Sequence, residues 1–262
     1  MPRKFRTLFL SLILGPACAF AGDEVPTPQP MNSRNESAIE INRDRLVGKN
    51  FFSWIWYDQF KPTIREAADI DGFGILLGTS AATILARQYD FEVRKTYGDN
   101  NYMPTEISKF GSILGSGWPG GTLVLSLLIW DTPHGLRILR ATTLTSLSAY
   151  TIGVLADRRR PNDGLRSFPS GHTSTMFAIS GSLAYSYGPW VGVPALALAT
   201  FVGASRIADN AHWLSDTIAA AGIGLFWARA SAQSGLEKGS LTPAWAPAVV
   251  PGGLTLNYSR EF

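Results

Sequence analysis

Long stretches without charged residues constrain the fold of this chain more than any other feature. Between residues 71 and 230 they are rich in Gly, Ala, Ser and Thr, they are long enough for helices, and they show few alternations of β-branched residues. Gly188-Pro189 divides the longest stretch into two helices. We therefore predict an all-α fold, a bundle of about six core helices. The uncharged stretches are 73–86, 110–130, 141–156, 173–205 and 217–228.

The same stretches allow more than one relation to a membrane. A membrane-spanning helix needs roughly 20 predominantly apolar residues, and several of these stretches are shorter. Small residues suit close helix packing in a membrane and also in a soluble bundle. The mean hydropathy of +0.06 favours a membrane-associated or soluble protein over one embedded fully in lipid.

The first 21 residues have the pattern of a secretory signal peptide. Three cations at positions 3, 4 and 6 precede a short apolar run, and an A-x-A cleavage site ends at Ala21. The alternative is an uncleaved anchor, for which the apolar run is short. Cleavage removes three cations from a chain of net charge +3, so the mature chain is near neutral and gives no indication of nucleic-acid binding. Cleavage also removes Cys18, the only cysteine, so the mature chain forms no intramolecular disulfide.

Composition divides the rest of the chain into three parts. Residues 22–35 are polar, carry three prolines and are predicted to be a linker. Residues 36–231 contain the helical domain, which we expect to begin with an aromatic amphipathic helical segment. In the tail, 232–262, a Pro-Gly-Gly turn at 251–253 separates two short segments, which predicts a β-hairpin or an extended arm.

The segment SFPSGHT, residues 167–173, has the composition of an anion-binding helix start. We expect a helix to begin near His172, and a helix N-terminus offers unpaired N–H groups and a positive dipole end. Ser170 adds a hydroxyl donor, and Gly171 lets the backbone approach a ligand closely. The alternative is a plain capped helix start, because Ser-x-x-Thr is a common cap.

The segment SRIADNAHWLSD, residues 205–216, adds a histidine and a carboxylate. His212 and Asp216 are four residues apart, so on a helix they would share one face. A carboxylate there would fix the tautomer of the imidazole and leave its other nitrogen as a nucleophile, and Arg206 offers a planar fork for phosphate oxygens. The alternative is a surface His–Asp pair. Two of the chain's three histidines fall in these two segments, and we expect the third, His134, in a loop.

A third segment, ADRRRPND, is strongly basic. Three arginines stand before Pro161. Alone, this pattern indicates a solvated basic turn or a topology signal. Beside the other two segments, it predicts an anion clamp.

Together, the three segments resemble the type 2 phosphatidic acid phosphatase (PAP2) superfamily, which also includes bacterial class A acid phosphatases and vanadium haloperoxidases. The resemblance implies a helical bundle and metal-independent catalysis through a phosphohistidine. The residues that match the three family motifs are Arg160 and Pro161, then Pro169, Ser170, Gly171 and His172, then Ser205, Arg206, His212 and Asp216.

One position departs from the family pattern. The first motif has the form K-x6-R-P, and its lysine would fall at Gly153. No shift of the motif restores it, because the chain has no lysine between Lys109 and Lys238. We expect Arg158 or Arg159 to supply the missing charge. The alternative is a reduced activity or an altered substrate.

The resemblance implies a role for each site residue. His212 attacks phosphorus and Asp216 orients it, while His172 protonates the leaving alcohol and then activates water. The pocket has one carboxylate, which is committed to His212, so we predict no metal and no other cofactor. The groups expected to hold the phosphoryl oxygens are Arg160, Ser170, Gly171, Arg206 and, in place of the family lysine, Arg159.

We predict an exported phosphatase in the bacterial cell envelope, facing the periplasm and associated with the membrane. Its substrate is a phosphomonoester or pyrophosphate, and the leading class is a membrane lipid phosphate. A soluble periplasmic acid phosphatase acting on small phosphomonoesters is the nearest alternative. A vanadate-dependent haloperoxidase is disfavoured by the short chain and the absent lysine. The last alternative is a non-catalytic protein that kept the pocket, and only Gly153 supports it.

Overall fold

The computed structural model describes residues 51–100, 102–234, 244–250 and 253–259, the last two ranges as backbone. The chain divides into two units, Gln59–Ser240 and a second formed by Met1–Asp58 with Leu241–Phe262. The predicted signal peptide and linker lie outside the described residues.

The first unit is helical, which confirms the all-α prediction for this part of the chain. Its helices alternate with short turns, and a π-helical segment occurs at Arg94–Gly98. The helical turn Phe51–Ser53 and most of the π-helical segment Trp54–Phe60 precede residue 59 and belong to the second unit. The helices of the described residues from 59 to 234 are α1 Lys61–Ala67, α2 Ile70–Arg87, α3 Asp90–Val93, α4 Thr105–Gly115, α5 Trp118–Trp130, α6 Thr132–Ala156, α7 Gly171–Tyr187, α8 Pro189–Ala208 and α9 Leu214–Gln233.

The second unit contains two strands. β1, Ala244–Val250, pairs antiparallel with β2, Gly253–Ser259. The rest of the predicted tail beyond residue 234 lies outside the described residues, so the fold of the tail as a whole stays a prediction.

Two helix boundaries differ from the sequence prediction. Helix α6 begins at Thr132 rather than 141, because buried Arg140 finds partners inside the bundle, the side-chain oxygen of Gln59 at 2.9 Å and the carbonyl oxygen of Ser231 at 3.3 Å. His134 therefore lies in the first turn of α6, and its prediction as a loop residue is wrong. The stretch 110–130 contains parts of two helices, α4 and α5, because Gly117 adopts a left-handed φ of 91° between them.

Helix α9 occupies the middle of the bundle, in contact with α1, α2, α6 and α7. The small residues of the uncharged stretches allow this close packing. A Cβ atom added to Gly224 of α9, for example, would lie 2.5 Å from the carbonyl oxygen of Ser174 on α7. Any larger residue there would force the two helices apart.

Two described helices, α2 and α8, are long and apolar enough to cross a membrane. Helices α4 and α5 meet the same criterion as a pair, with a bend of 41° between them. Only 11% of α2 is buried, and its exposed side chains include Ile70, Phe73 and Leu77. Such a continuous apolar surface on the outside of a bundle is typical of contact with lipid or a partner.

Candidate active site

The two loops that carry the sequence motifs meet at one end of the bundle. The first joins α6 to α7 and the second joins α8 to α9. The backbone N–H of Asn162 donates to the carbonyl oxygen of Asn210 at 3.1 Å, and the N–H of Ser170 donates to the carbonyl oxygen of Asp216 at 3.3 Å. The fold thus brings together residues that lie about 45 positions apart in the chain.

Helix α7 begins at Gly171, as the SFPSGHT segment predicted. Ser170 is its N-cap, and the Ser170 hydroxyl oxygen accepts from the N–H of Thr173 at 3.4 Å and from the Thr173 hydroxyl at 3.0 Å. Because both contacts use the oxygen as an acceptor, the hydroxyl hydrogen of Ser170 stays available for a ligand. Nothing occupies the space where a Cβ atom of Gly171 would lie, so this helix start is open to a ligand.

His212 is buried in the turn between α8 and α9, with 4% of its surface exposed. The predicted common helix face with Asp216 is wrong, because α9 begins only at Leu214. The Nδ1 atom of His212 lies 2.7 Å from the carbonyl oxygen of Ser167. A carbonyl oxygen only accepts hydrogen bonds, so Nδ1 carries the hydrogen and, in the neutral imidazole, Nε2 carries the lone pair. Nε2 is therefore the ring nitrogen with the lone pair that a nucleophile requires.

Asp216 orients this arrangement through Ser167. Its Oδ2 atom lies 3.8 Å from His212 Nδ1, which is too far for a hydrogen bond. The carboxylate instead accepts from the hydroxyl of Ser167 and from the N–H of Trp213, the latter at 2.9 Å. Asp216 thus positions Ser167, and the carbonyl oxygen of Ser167 positions His212. The motif spacing gave no signal for Ser167, because its contact with His212 is made by backbone.

Arg158 binds two buried carboxylates and is not free to bind phosphate. Its Nη1 atom donates to Asp216 Oδ1 at 2.6 Å, and its Nη2 atom donates to Asp90 Oδ2 at 2.7 Å. Asp90 is 2% exposed and also accepts from the N–H and the hydroxyl of Ser215 at 2.9 and 2.7 Å. The expectation that Arg158 replaces the missing lysine is therefore wrong. Asp90 belongs to no motif and was missed.

The three predicted phosphate-binding arginines differ in their surroundings. The Nε atom of Arg160 is buried and has no hydrogen-bond partner among the described residues. Arg206 is fixed by the hydroxyl of Ser112, by the carbonyl oxygen of Ser108, both at 2.9 Å, and by Asp209 at 2.8 Å. Arg159 is exposed, and its guanidinium turns back toward its own loop.

His172 lies close to three of these cationic groups. Its burial and the nearby charges of Arg206, His212 and Arg160 lower the pKa of His172 to about 4. The imidazole is therefore neutral at pH 7 in the empty site. Two guanidinium groups and two imidazoles gather here, and Asp209 on Arg206 is the only carboxylate described on either guanidinium, so the site favours the binding of an anion.

A cavity of about 850 Å³ opens beside His172. Its wall is mostly apolar or small, with side chains from α5, α6 and α7 such as Val124, Leu128 and Ile179. The Pro169–Gly171 turn and Gly153 line the same cavity. Its volume lies within the range of small-molecule pockets, so an apolar ligand of moderate size fits beside the anion site.

The described residues contain no group of three or more His, Cys, Asp or Glu side chains that could hold a metal ion. The two carboxylates of the buried network, Asp216 and Asp90, are occupied by Arg158 and by hydroxyl groups.

Comparison with known proteins finds a family model that matches part of the chain. Residues 133–239 match the family model of the PAP2 superfamily, which confirms the resemblance predicted from the motifs. A lipid A 1-phosphatase of Porphyromonas gingivalis is 31% identical over 118 residues, which cover 44% of this chain. The match spans 25% of that curated relative, about a quarter of its length.

Two solved structures share the fold. The crystal structure of Aquifex aeolicus LpxE superimposes with a TM-score of 0.50 and 22% identity, over 55% of this chain and 94% of that one. A transmembrane PAP2 type phosphatidylglycerolphosphate phosphatase from Bacillus subtilis gives 0.52 and 19%, over 66% and 94% of the two chains.

Proposed function

We propose that this protein is a metal-independent phosphatase that removes phosphate from a lipid phosphate through a phosphohistidine on His212. The observation that carries this proposal is the geometry of His212. A backbone carbonyl oxygen 2.7 Å from Nδ1 fixes the tautomer in which Nε2 of the neutral imidazole has the lone pair. His212 acts on His172 together with Arg206 and Arg160. The domain responsible is the predicted helical domain, residues 36–231.

In the first step, Nε2 of His212 attacks phosphorus as the bond from phosphorus to the leaving oxygen breaks. Arg160, Arg206, the hydroxyl of Ser170 and the N–H of Gly171 hold the phosphoryl oxygens. Fixed donors of this kind provide most of the stabilisation in phosphoryl transfer. His172 gives its proton to the leaving alkoxide. In the second step, His172 takes a proton from water, which attacks the phosphohistidine and releases phosphate.

The low pKa of His172 in the empty site fits this acid role only after substrate binds. Burial and the neighbouring positive charges disfavour the imidazolium. A bound phosphate dianion offsets those charges and so raises the pKa of His172. The proton needed by the leaving group is then held at His172 only in the complex.

The substrate class follows from the cavity and from the outer surface. An apolar cavity of about 850 Å³ beside His172 suits acyl or isoprenyl carbons, and the exposed apolar surface of α2 would place the domain at a bilayer. The substrates for which the similar proteins are named, lipid A and phosphatidylglycerolphosphate, are amphiphiles of this kind. A lipid phosphate is therefore favoured over a small soluble phosphomonoester.

Purified full-length protein in detergent is expected to release inorganic phosphate from one or more lipid phosphates in the presence of EDTA. The panel comprises phosphatidate, phosphatidylglycerophosphate, undecaprenyl pyrophosphate and lipid A. Arginine and histidine supply the charge stabilisation, so chelation should leave the rate unchanged. Strong inactivation by EDTA that magnesium reverses would contradict the metal-independent mechanism. If the protein released phosphate from none of these lipids, the assigned substrate class would be wrong.

We further propose that the site faces the periplasm. Helix α2 ends at Arg87. This end lies near the site, since Arg87 and Arg158 both line a second cavity of about 590 Å³. If α2 crosses the membrane toward the periplasm, residue 69 lies on the cytoplasmic side. With a cleaved signal peptide, this arrangement requires another crossing before residue 70. If α2 instead lies along the membrane surface, no further crossing is needed for a periplasmic site.

Cysteine labelling tests the side on which the site lies. In a Cys18→Ser background, Leu165→Cys places a thiol in the exposed site loop, and Thr132→Cys places one at the opposite end of α6. A membrane-impermeant maleimide is expected to label the first variant in intact cells and the second only after lysis, if the bundle crosses the membrane. The reverse pattern would place the site in the cytoplasm.

A further inference from the structure

Arg166 lies in the wall of the cavity, together with His172 and Gly153. It is exposed, and its backbone adopts a left-handed φ of 56°. Non-glycine residues rarely adopt this conformation, and they do so only where the surrounding structure holds them there. The loop therefore places an arginine at the cavity at some cost in backbone strain.

The guanidinium of Arg166 covers the helix turn next to Gly153. It lies over the ring of Tyr150, 5.8 Å from the ring centre. Side chains on a helix lean toward its N-terminus, so a side chain at position 153 would cover the turn that holds Tyr150. Gly153 has no side chain to occupy this turn, and Gly153, Tyr150 and Arg166 line the same cavity.

Arg166 has no anionic partner within the part of the chain that the structure describes. No described carboxylate forms an ion pair with it, and no described group accepts a hydrogen bond from its guanidinium. Arg206 and Arg160 are the guanidinium groups whose charges lower the pKa of His172, and Arg166 lines the cavity beside that histidine. A guanidinium binds phosphate oxygens in pairs, and an anion at Arg166 would have to come from a ligand in the cavity.

We propose that Arg166 binds a second anionic group of the substrate headgroup, separate from the phosphate that is transferred to His212. This inference rests on the proposed lipid phosphatase function. It assigns a specificity role to Arg166. A substrate with two phosphate groups, either a monoester and a diester or two monoesters, would bind at both the His212 site and Arg166. A substrate with one phosphate would bind only at the His212 site.

Arg166→Gly tests this proposal without adding strain, because glycine adopts a φ of 56° readily. We expect kcat/KM for phosphatidylglycerophosphate to fall roughly tenfold to a hundredfold, the usual effect of losing a hydrogen bond to a charged group. The value for phosphatidate, which has one phosphate, should change less than about threefold. Arg166→Lys keeps the charge but loses the paired contact, and should give an intermediate loss.

Arg65→Ala is the matched control, since Arg65 is an exposed arginine on α1, at the end of the bundle away from the site. It should leave both substrates unaffected. Equal losses on the two substrates, or no loss on either, would overturn the role of Arg166. Phosphate release by the wild-type protein tests the proposed function separately. If it released no phosphate from either lipid, the phosphatase proposal would fail, whatever the Arg166 variants do.

Discussion

His212→Ala is expected to abolish phosphate release from every substrate, lowering kcat by about four orders of magnitude or more. The change removes the atom that forms the bond to phosphorus, so no choice of leaving group can compensate. The variant should still fold, because the only described hydrogen bond of the His212 side chain is the one to Ser167. Phosphate release from p-nitrophenyl phosphate and from an alkyl phosphate measures the effect.

His172→Ala should behave differently on the same two substrates. A general acid contributes roughly 10²–10⁴-fold where the leaving group is a poor one, and much less for p-nitrophenolate. His134→Ala is the control, because His134 bonds to Asp131 at the opposite end of α6. Equal losses of activity on the two substrates would contradict the acid role of His172. An active His212→Ala protein would contradict the phosphohistidine mechanism.

Arg158→Ala is expected to destabilise the protein as well as to lower kcat. The guanidinium lies between Asp90 and Asp216, which are 1% and 0% exposed. Without it, two buried carboxylates lose their cation, and breaking a buried pair in this way costs about 3–5 kcal/mol. Loss of the Asp216 arrangement also releases Ser167 and therefore His212. Denaturant unfolding followed by tryptophan fluorescence, together with kcat, measures both effects.

Two variants make this test specific. Arg159→Ala removes a neighbouring exposed arginine that pairs with no buried carboxylate, and it should unfold as the wild type does. Asp90→Asn in the Arg158→Ala background removes one of the unpaired charges and should recover part of the lost stability. An Arg158→Ala protein with wild-type stability and kcat would show that the network is not needed.

Much of the site could be predicted from the sequence because its residues are grouped in short segments. The start of α7 at Gly171 follows from local chemistry, namely a Ser cap followed by a long uncharged stretch. The same holds for the all-α fold, since the helices follow from uncharged stretches of the right length. His172, His212 and Arg206 are placed together as expected, because each motif loop joins two neighbouring helices.

The tertiary structure alone decided which charges pair. The sequence does not distinguish the four arginines at positions 158, 159, 160 and 166. In the structure, Arg158 is paired with carboxylates, whereas Arg166 lines the cavity. Asp90 and Arg158 are 68 residues apart, and neither helix periodicity nor motif spacing relates positions at that separation. Ion pairing falls off within a few ångströms, so it depends on how α3, α6 and α9 pack. The relay from Asp216 through Ser167 to His212 depends on the same packing, because its last contact is made by a backbone carbonyl that carries no sequence signal.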